Sequence, residues 1–193
     1  MNEQFVLQHG NNYQYNFEYL YQDNINTVFD NWESFLNLYY WKNQHGENMS
    51  QKKLLCVQNL WMNRKTLIQL RIELQNNNQF NWDLFEGVFQ PSHSSTIWKI
   101  LLLHLIKPDY FPIFDQHVYR SFFFLNNNII QELPSKKNLR WIIYKKQYLP
   151  WFIQSKNELN FNRTIEDENY FSTKKIDQSL FVYGKILKNQ NNQ

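Results

Sequence analysis

The sequence predicts an all-α protein. Three observations lead there. Apolar residues recur at helical spacing, as in Val28, Trp32, Phe35 and Tyr39. No alternation of period two runs longer than four residues, so no strand announces itself. The periodic segments are bounded by residues that cap or break helices. No repeat is visible, and no linker shifts enough in composition to cut the chain. A length of 193 residues suits one domain with a real core. The expectation is one compact multi-helix domain over 1–193. Within it lie an acidic, aromatic-rich part at 1–46, a helix–loop–Asp–helix unit at 87–125 and basic helices at 135–188.

The elements follow in order. Residues 13–41 carry the first helical phase, broken by Gly46 and Asn48. Ser50 suits the N-cap of a helix over Gln51–Met62, with Leu54, Val57 and Trp61 on one face. A second helix is expected over Lys65–Leu74, stopped by the Asn76–Asn78 run, and a short helix or turn over Asn81–Phe85. GVFQPSHSS, 87–95, is a loop. Ser94 or Ser95 then caps an apolar helix, Thr96–Ile106, which Pro108 ends. Phe111–Phe114 should be extended, because a residue before proline avoids the α region. A helix follows Asp115 to about Leu125. Two or three more come after Pro134, one over Lys137–Gln147 and one near Ile176–Leu187 behind Ser172 or Thr173.

Hydrophobic content of 42% and aromatic content of 18% exclude a disordered chain. The chain holds no alanine and is rich in Asn, Gln, Lys and Ile, which reads as codon bias, so the Asn runs are solvated turns. The net charge of +3 is unevenly spread. Residues 1–41 hold Glu3, Glu18, Asp23, Asp30 and Glu33 but no Lys or Arg. Between Lys136 and Lys188 the basic residues outnumber the acidic ones, which suits a phosphate-bearing partner. Cys56 is the only cysteine, and the five histidines lack ligand spacing, so neither a disulfide nor a metal site is expected. MNEQFVLQHG is not a secretory leader. The run Ile97–Ile106 is too short to span a bilayer. The expectation is an intracellular protein, cytoplasmic or nuclear, that is monomeric and needs no cofactor.

The stretch FPIFDQHVYRSF, 111–122, is the most informative. It sets Asp115 between an apolar segment and a helix. One reading is an N-cap whose carboxylate takes the first-turn N–H groups. The other is a catalytic acid. Val118, Tyr119 and Phe122 would enter the core and leave the carboxylate at the border of an apolar region. Desolvation would raise its pKa and the helix N-terminus would lower it. A carboxylate so placed can act as a general base or stabilise positive charge.

FPIFDQHVYR resembles the segment around the catalytic aspartate of the helix–hairpin–helix DNA glycosylases, the superfamily of endonuclease III, adenine glycosylase and 8-oxoguanine glycosylase. The shared pattern runs through Pro112, Ile113, Phe114, Asp115, Gln116, His117, Val118, Tyr119 and Arg120, with an apolar helix upstream. It covers about 30 residues closely. The resemblance implies a helix–hairpin–helix fold, double-stranded DNA as partner and base excision, in which a nucleotide is flipped into a pocket. Asp115 would activate water or stabilise the oxocarbenium-like sugar. Arg120 would be a salt-bridging or phosphate-contacting residue, and His117 the same or a structural one.

Three departures qualify the pattern. The family's glycine-rich hairpin should fall in 87–95, where only Gly87 remains, so the hairpin is degenerate. Phosphate would be held instead by Ser94, Ser95 and the N–H groups of the next helix. The lysine of bifunctional members would fall on Ile97, with Lys99 on another side of the helix, so a monofunctional enzyme is expected. One cysteine excludes an iron–sulfur cluster. Lys99, Lys136, Lys137, Lys145 and Lys146 are the expected DNA contacts. Trp61, Trp82, Trp98, Trp141 and Trp151 could include a stacking platform for a base, with core packing the ordinary role.

Overall fold

The computed structural model describes residues 1–43, 50–77, 79–89, 95–167 and 170–190. Every regular element among the described residues is helical. The chain divides into two units, Met1–Gln14 with Ser95–Gln193 and Tyr15–Ser94. Sequence composition had offered no such cut, and had grouped 1–46 together. The reason is α1, Glu3–Gly10, a helix the apolar pattern did not announce. Asn2 caps it, Val6 is buried, and the Val6 carbonyl accepts from Ser179 Oγ at 2.9 Å. That bond ties the first residues to the last helix.

In the unit Tyr15–Ser94, α2 (Glu18–Asn24) packs against α3 (Trp32–Asn43). Tyr21 meets Trp41 across them at 4.8 Å, and Phe35, Leu38 and Tyr39 of α3 are buried as well. The apolar phase at 28, 32, 35 and 39 thus starts in a turn and continues down α3. Gly46 and Asn48, expected to break that helix, lie outside the described residues. α4 (Gln51–Met62) and α5 (Arg64–Asn77) bury Val57, Leu60, Leu67, Leu70 and Leu74. Ser50 stands at the N-cap position of α4, but its side chain makes no cap bond. Asn81 does cap α6 (Trp82–Gly87), accepting from Leu84 N–H at 3.0 Å.

In the other unit, α7 (Thr96–Ile106) has the expected bounds and is buried along its whole second half, His104 included. α8 (Gln116–Asn127) ends at Asn128, whose φ of 55° is a left-handed stop that asparagine tolerates. The expected helix 137–147 is instead α9 (Lys137–Ile143) followed by a π turn, Tyr144–Tyr148. α10 (Leu149–Leu159) continues from it. Pro150 explains the widening: it has no N–H to give, and its ring would press on the carbonyl four residues back. α11 (Thr173–Gln190) lies along both α8 and α1. No described helix is long and apolar enough to cross a membrane.

A clamped connector and the carboxylate it carries

Between α7 and α8 the chain runs buried and outside any helix through Phe111, Pro112, Ile113 and Phe114. A buried segment outside helix and sheet must find other partners for its peptide groups. Side chains from three helices supply them. His104 Nδ1–H donates to the Phe111 carbonyl at 2.7 Å, which fixes its tautomer, since a carbonyl only accepts. Tyr144 O–H donates to the Pro112 carbonyl at 3.1 Å. Ile113 N–H donates to Asp177 Oδ2 at 2.8 Å. Tyr148 O–H lies 3.4 Å from both the Ile113 carbonyl and Asp177 Oδ1. Burial, and next Asp177, pushes both tyrosine hydroxyls well above their usual pKa, so they stay protonated and able to donate. Phe114 packs against the rings of Tyr148 and Tyr144, at 4.7 and 5.7 Å.

The clamp delivers Asp115 to the N-terminus of α8. Its backbone is extended there, and Oδ1 accepts from His117 N–H at 2.8 Å and Val118 N–H at 3.0 Å. The capping role read from the sequence is therefore present, and the carboxylate is half-buried at the border of the core. Its field reaches the Tyr148 hydroxyl.

Arg120 corrects the expectation of a DNA contact. Its side chain is 1% exposed and points inward. Nε and Nη2 grip both oxygens of Glu132, at 2.8 and 2.7 Å. Nη1 donates to the Gly184 carbonyl at 2.8 Å and to His117 Nδ1 at 3.1 Å. A guanidinium committed on all sides and covered by protein cannot meet a phosphate; of its two expected roles, the salt bridge holds. The same bond assigns His117. Because arginine only donates, Nδ1 must accept, and the ring is neutral. Burial lowers the His117 pKa, which Asp115 only partly offsets. The ring also packs against Phe181 at 5.1 Å.

The lysines form a second region. Thr96 Oγ1 donates to the Lys137 carbonyl at 2.8 Å and ties the start of α7 to the start of α9. Lys99 Nζ stands 5.1 Å from the Trp141 ring and Lys145 Nζ 5.5 Å from it, while Trp141 stacks on Tyr144 at 5.8 Å. Lys136, Lys137 and Lys146 are exposed nearby in the chain. From Leu133 to Asn157 there is no acidic residue. Ile97 faces solvent at 45% exposure, while Lys99 is turned onto Trp141. Ser95 holds the N-cap position of α7 without a cap bond from its side chain. Ser94, and with it 90–93 of the expected hairpin, lies outside the described residues.

Trp151 packs on Phe122 at 5.1 Å, and Trp61 on Phe35 at 5.4 Å. An apolar cleft of about 630 Å³ runs along α10, lined by Tyr110, Leu149, Ile153 and Phe161 among others; Asp115 does not line it. Among the described residues no three His, Cys, Asp or Glu side chains gather as metal ligands would. His104, Tyr144, Tyr148 and Asp177 were not singled out by the sequence. Two of them had a signal: a histidine inside the apolar run of α7, and an aspartate in the apolar phase of α11 beside Ile176 and Leu180. No protein-family model, curated protein or solved structure matches this chain.

Proposed function

We propose that the protein is a monofunctional DNA glycosylase that hydrolyses the N-glycosidic bond of a modified or mismatched base. The observation that carries this reading is the placement of Asp115. It is a half-buried carboxylate at a helix N-terminus, set there by a connector whose peptide groups are bonded to His104, Tyr144, Tyr148 and Asp177. Such fixing supports catalysis because preorganised charge need not reorganise as the sugar turns cationic. In the step, the bond from C1′ to the base breaks and the base leaves with its bonding pair. Water adds at C1′ with Asp115 taking its proton, and an intact abasic site results. The Lys99–Trp141–Lys145 group and the lysines around it supply a surface of the right sign for duplex DNA.

The cap bonds of Asp115 favour a second reading, a catalytically silent scaffold that binds DNA or a protein partner. One experiment separates the two. Duplexes carrying a panel of lesions are incubated with wild type and Asp115→Asn, and released base is measured. Release by wild type alone is the expected result. Equal release by both removes Asp115 from the chemistry, and no release from any lesion leaves the silent scaffold.

A further inference from the structure

We propose that Asp177 is a positioning residue for Asp115: its buried carboxylate fixes the backbone from which the catalytic carboxylate projects. This rests on the reading of Asp115 as the group that assists base release. Asp177 is on α11, far from the connector in sequence, and only 6% exposed. Burying a carboxylate is costly, and a neutral acceptor would satisfy one amide with less desolvation. What the carboxylate adds is two oxygens with charge. Oδ2 holds Ile113 N–H at 2.8 Å, and Oδ1 faces the Tyr148 hydroxyl at 3.4 Å. One side chain thus joins α11, the connector and the π turn.

Charge-assisted hydrogen bonds are shorter and stronger than neutral ones, so the grip on Ile113 is stiff. Only Phe114 separates Ile113 from Asp115, and Phe114 is itself buried against Tyr144 and Tyr148. A shift at Ile113 therefore passes to the Asp115 carboxylate with little to absorb it. Displacement of a catalytic group by about 1 Å costs on the order of 100-fold in rate.

The test uses the full chain with Asp177→Ala, Asp177→Asn, Tyr148→Phe and Asp115→Asn. Base release gives kcat and KM. Amide exchange at His117 and Val118 reports the place of the Asp115 carboxylate without any substrate, because that carboxylate covers both N–H groups. Asp177→Ala is expected to lower kcat about 100-fold with KM within about twofold. It should also speed exchange at His117 and Val118 ahead of the rest of α8. Asp177→Asn keeps one acceptor oxygen but loses the charge and the second acceptor, so it should fall between wild type and Asp177→Ala in both. Unchanged kcat and unchanged exchange in a folded Asp177→Ala overturn the inference. If that variant does not fold, Asp177→Asn decides: unchanged exchange and rate there are equally fatal, while Tyr148→Phe, which keeps the bond to Ile113 N–H, should change both less. Full base release by Asp115→Asn overturns the functional reading instead.

Discussion

On α8, Arg120 and Ser121 turn inward; around α9 and its π turn, Lys136, Lys137 and Lys146 turn outward. Arg120, Ser121 and His117 are spent on holding α8 to α11 and to Glu132. Lys136, Lys137 and Lys146 stay in water. Both stretches looked like DNA contacts in the sequence, because an arginine and a lysine carry the same charge there. The difference teaches that charge predicts a partner only where the side chain has no better partner inside. Changes in the first region should act on stability, and changes in the second on binding.

Gly184 tests the first half most severely. A Cβ at this position would overlap the His117 carbonyl, which is backbone and cannot rotate away. Gly184→Ala gains about 1 kcal/mol of helix propensity. It must nevertheless push α8 from α11, at a cost at or beyond the upper end of about 1–3 kcal/mol. A net loss of stability in chemical denaturation is expected. A variant as stable as wild type would mean that the two helices are not held at this distance.

Arg120→Met comes next. Glu132 can return to water, since its side chain is 58% exposed, so the cost falls on the acceptors left behind. His117 Nδ1 loses its donor, worth about 1–3 kcal/mol, while the Gly184 carbonyl, inside α11, loses its second donor but keeps its helical one. Arg120 also holds the Glu132 carboxyl below the usual range, chiefly through their hydrogen bond. That share of stability is full above the ordinary glutamate pKa and is lost as pH falls through the lowered one. Wild type should therefore lose stability on acidification in a step that Arg120→Met lacks. If non-specific DNA affinity instead drops with stability intact, Arg120 belongs with the lysines.

The helical class, the bounds of α7 and the cap at Asp115 were legible in the sequence. Each depends on residues close in the chain: a phase of 3.6, a proline, a carboxylate before a helix. What was not legible depends on distant partners. Nothing local says that Asp177 meets Ile113 or that Arg120 meets Glu132. α1 was missed because one buried valine and one half-buried phenylalanine make no stripe. The π turn was not foreseen because the expected helix 137–147 was read without Pro150, which the chain absorbs by widening one turn.

His9 gives a smaller effect in the inward-facing set. It is 8% exposed, its Nδ1 has no hydrogen-bond partner among the described residues, and its ring sits 4.7 Å from Phe5 and 4.9 Å from Tyr183. Burial lowers its pKa below the usual imidazole value of about 6.5. A lowered folded pKa means that the unfolded chain binds the proton more readily. Stability is thus full above about pH 6.5 and falls as pH drops through the folded value. His117 has the same sign. His9→Gln should flatten part of the stability loss between about pH 7 and 5, and an unchanged profile would show that α1 tolerates the imidazolium.

The smallest effect on stability, and the clearest on binding, belongs to the lysines. Lys136, Lys137 and Lys146 are exposed and Lys145 is half-buried, so each charge reversal should change stability by no more than about 0.5 kcal/mol. Lys145 loses its place near the Trp141 ring. Duplex affinity should behave otherwise. Each phosphate a lysine neutralises releases counterions and adds about 0.9 to the slope of log affinity against log salt. Reversing the four should lower that slope by up to about four times this amount. The preferred base should not change, since phosphate contacts carry no sequence information. Titrations of labelled duplex at several salt concentrations read both quantities. Wild-type binding that ignores salt would end the DNA reading of this face, and a large loss of stability in the reversed variant would erase its contrast with α8.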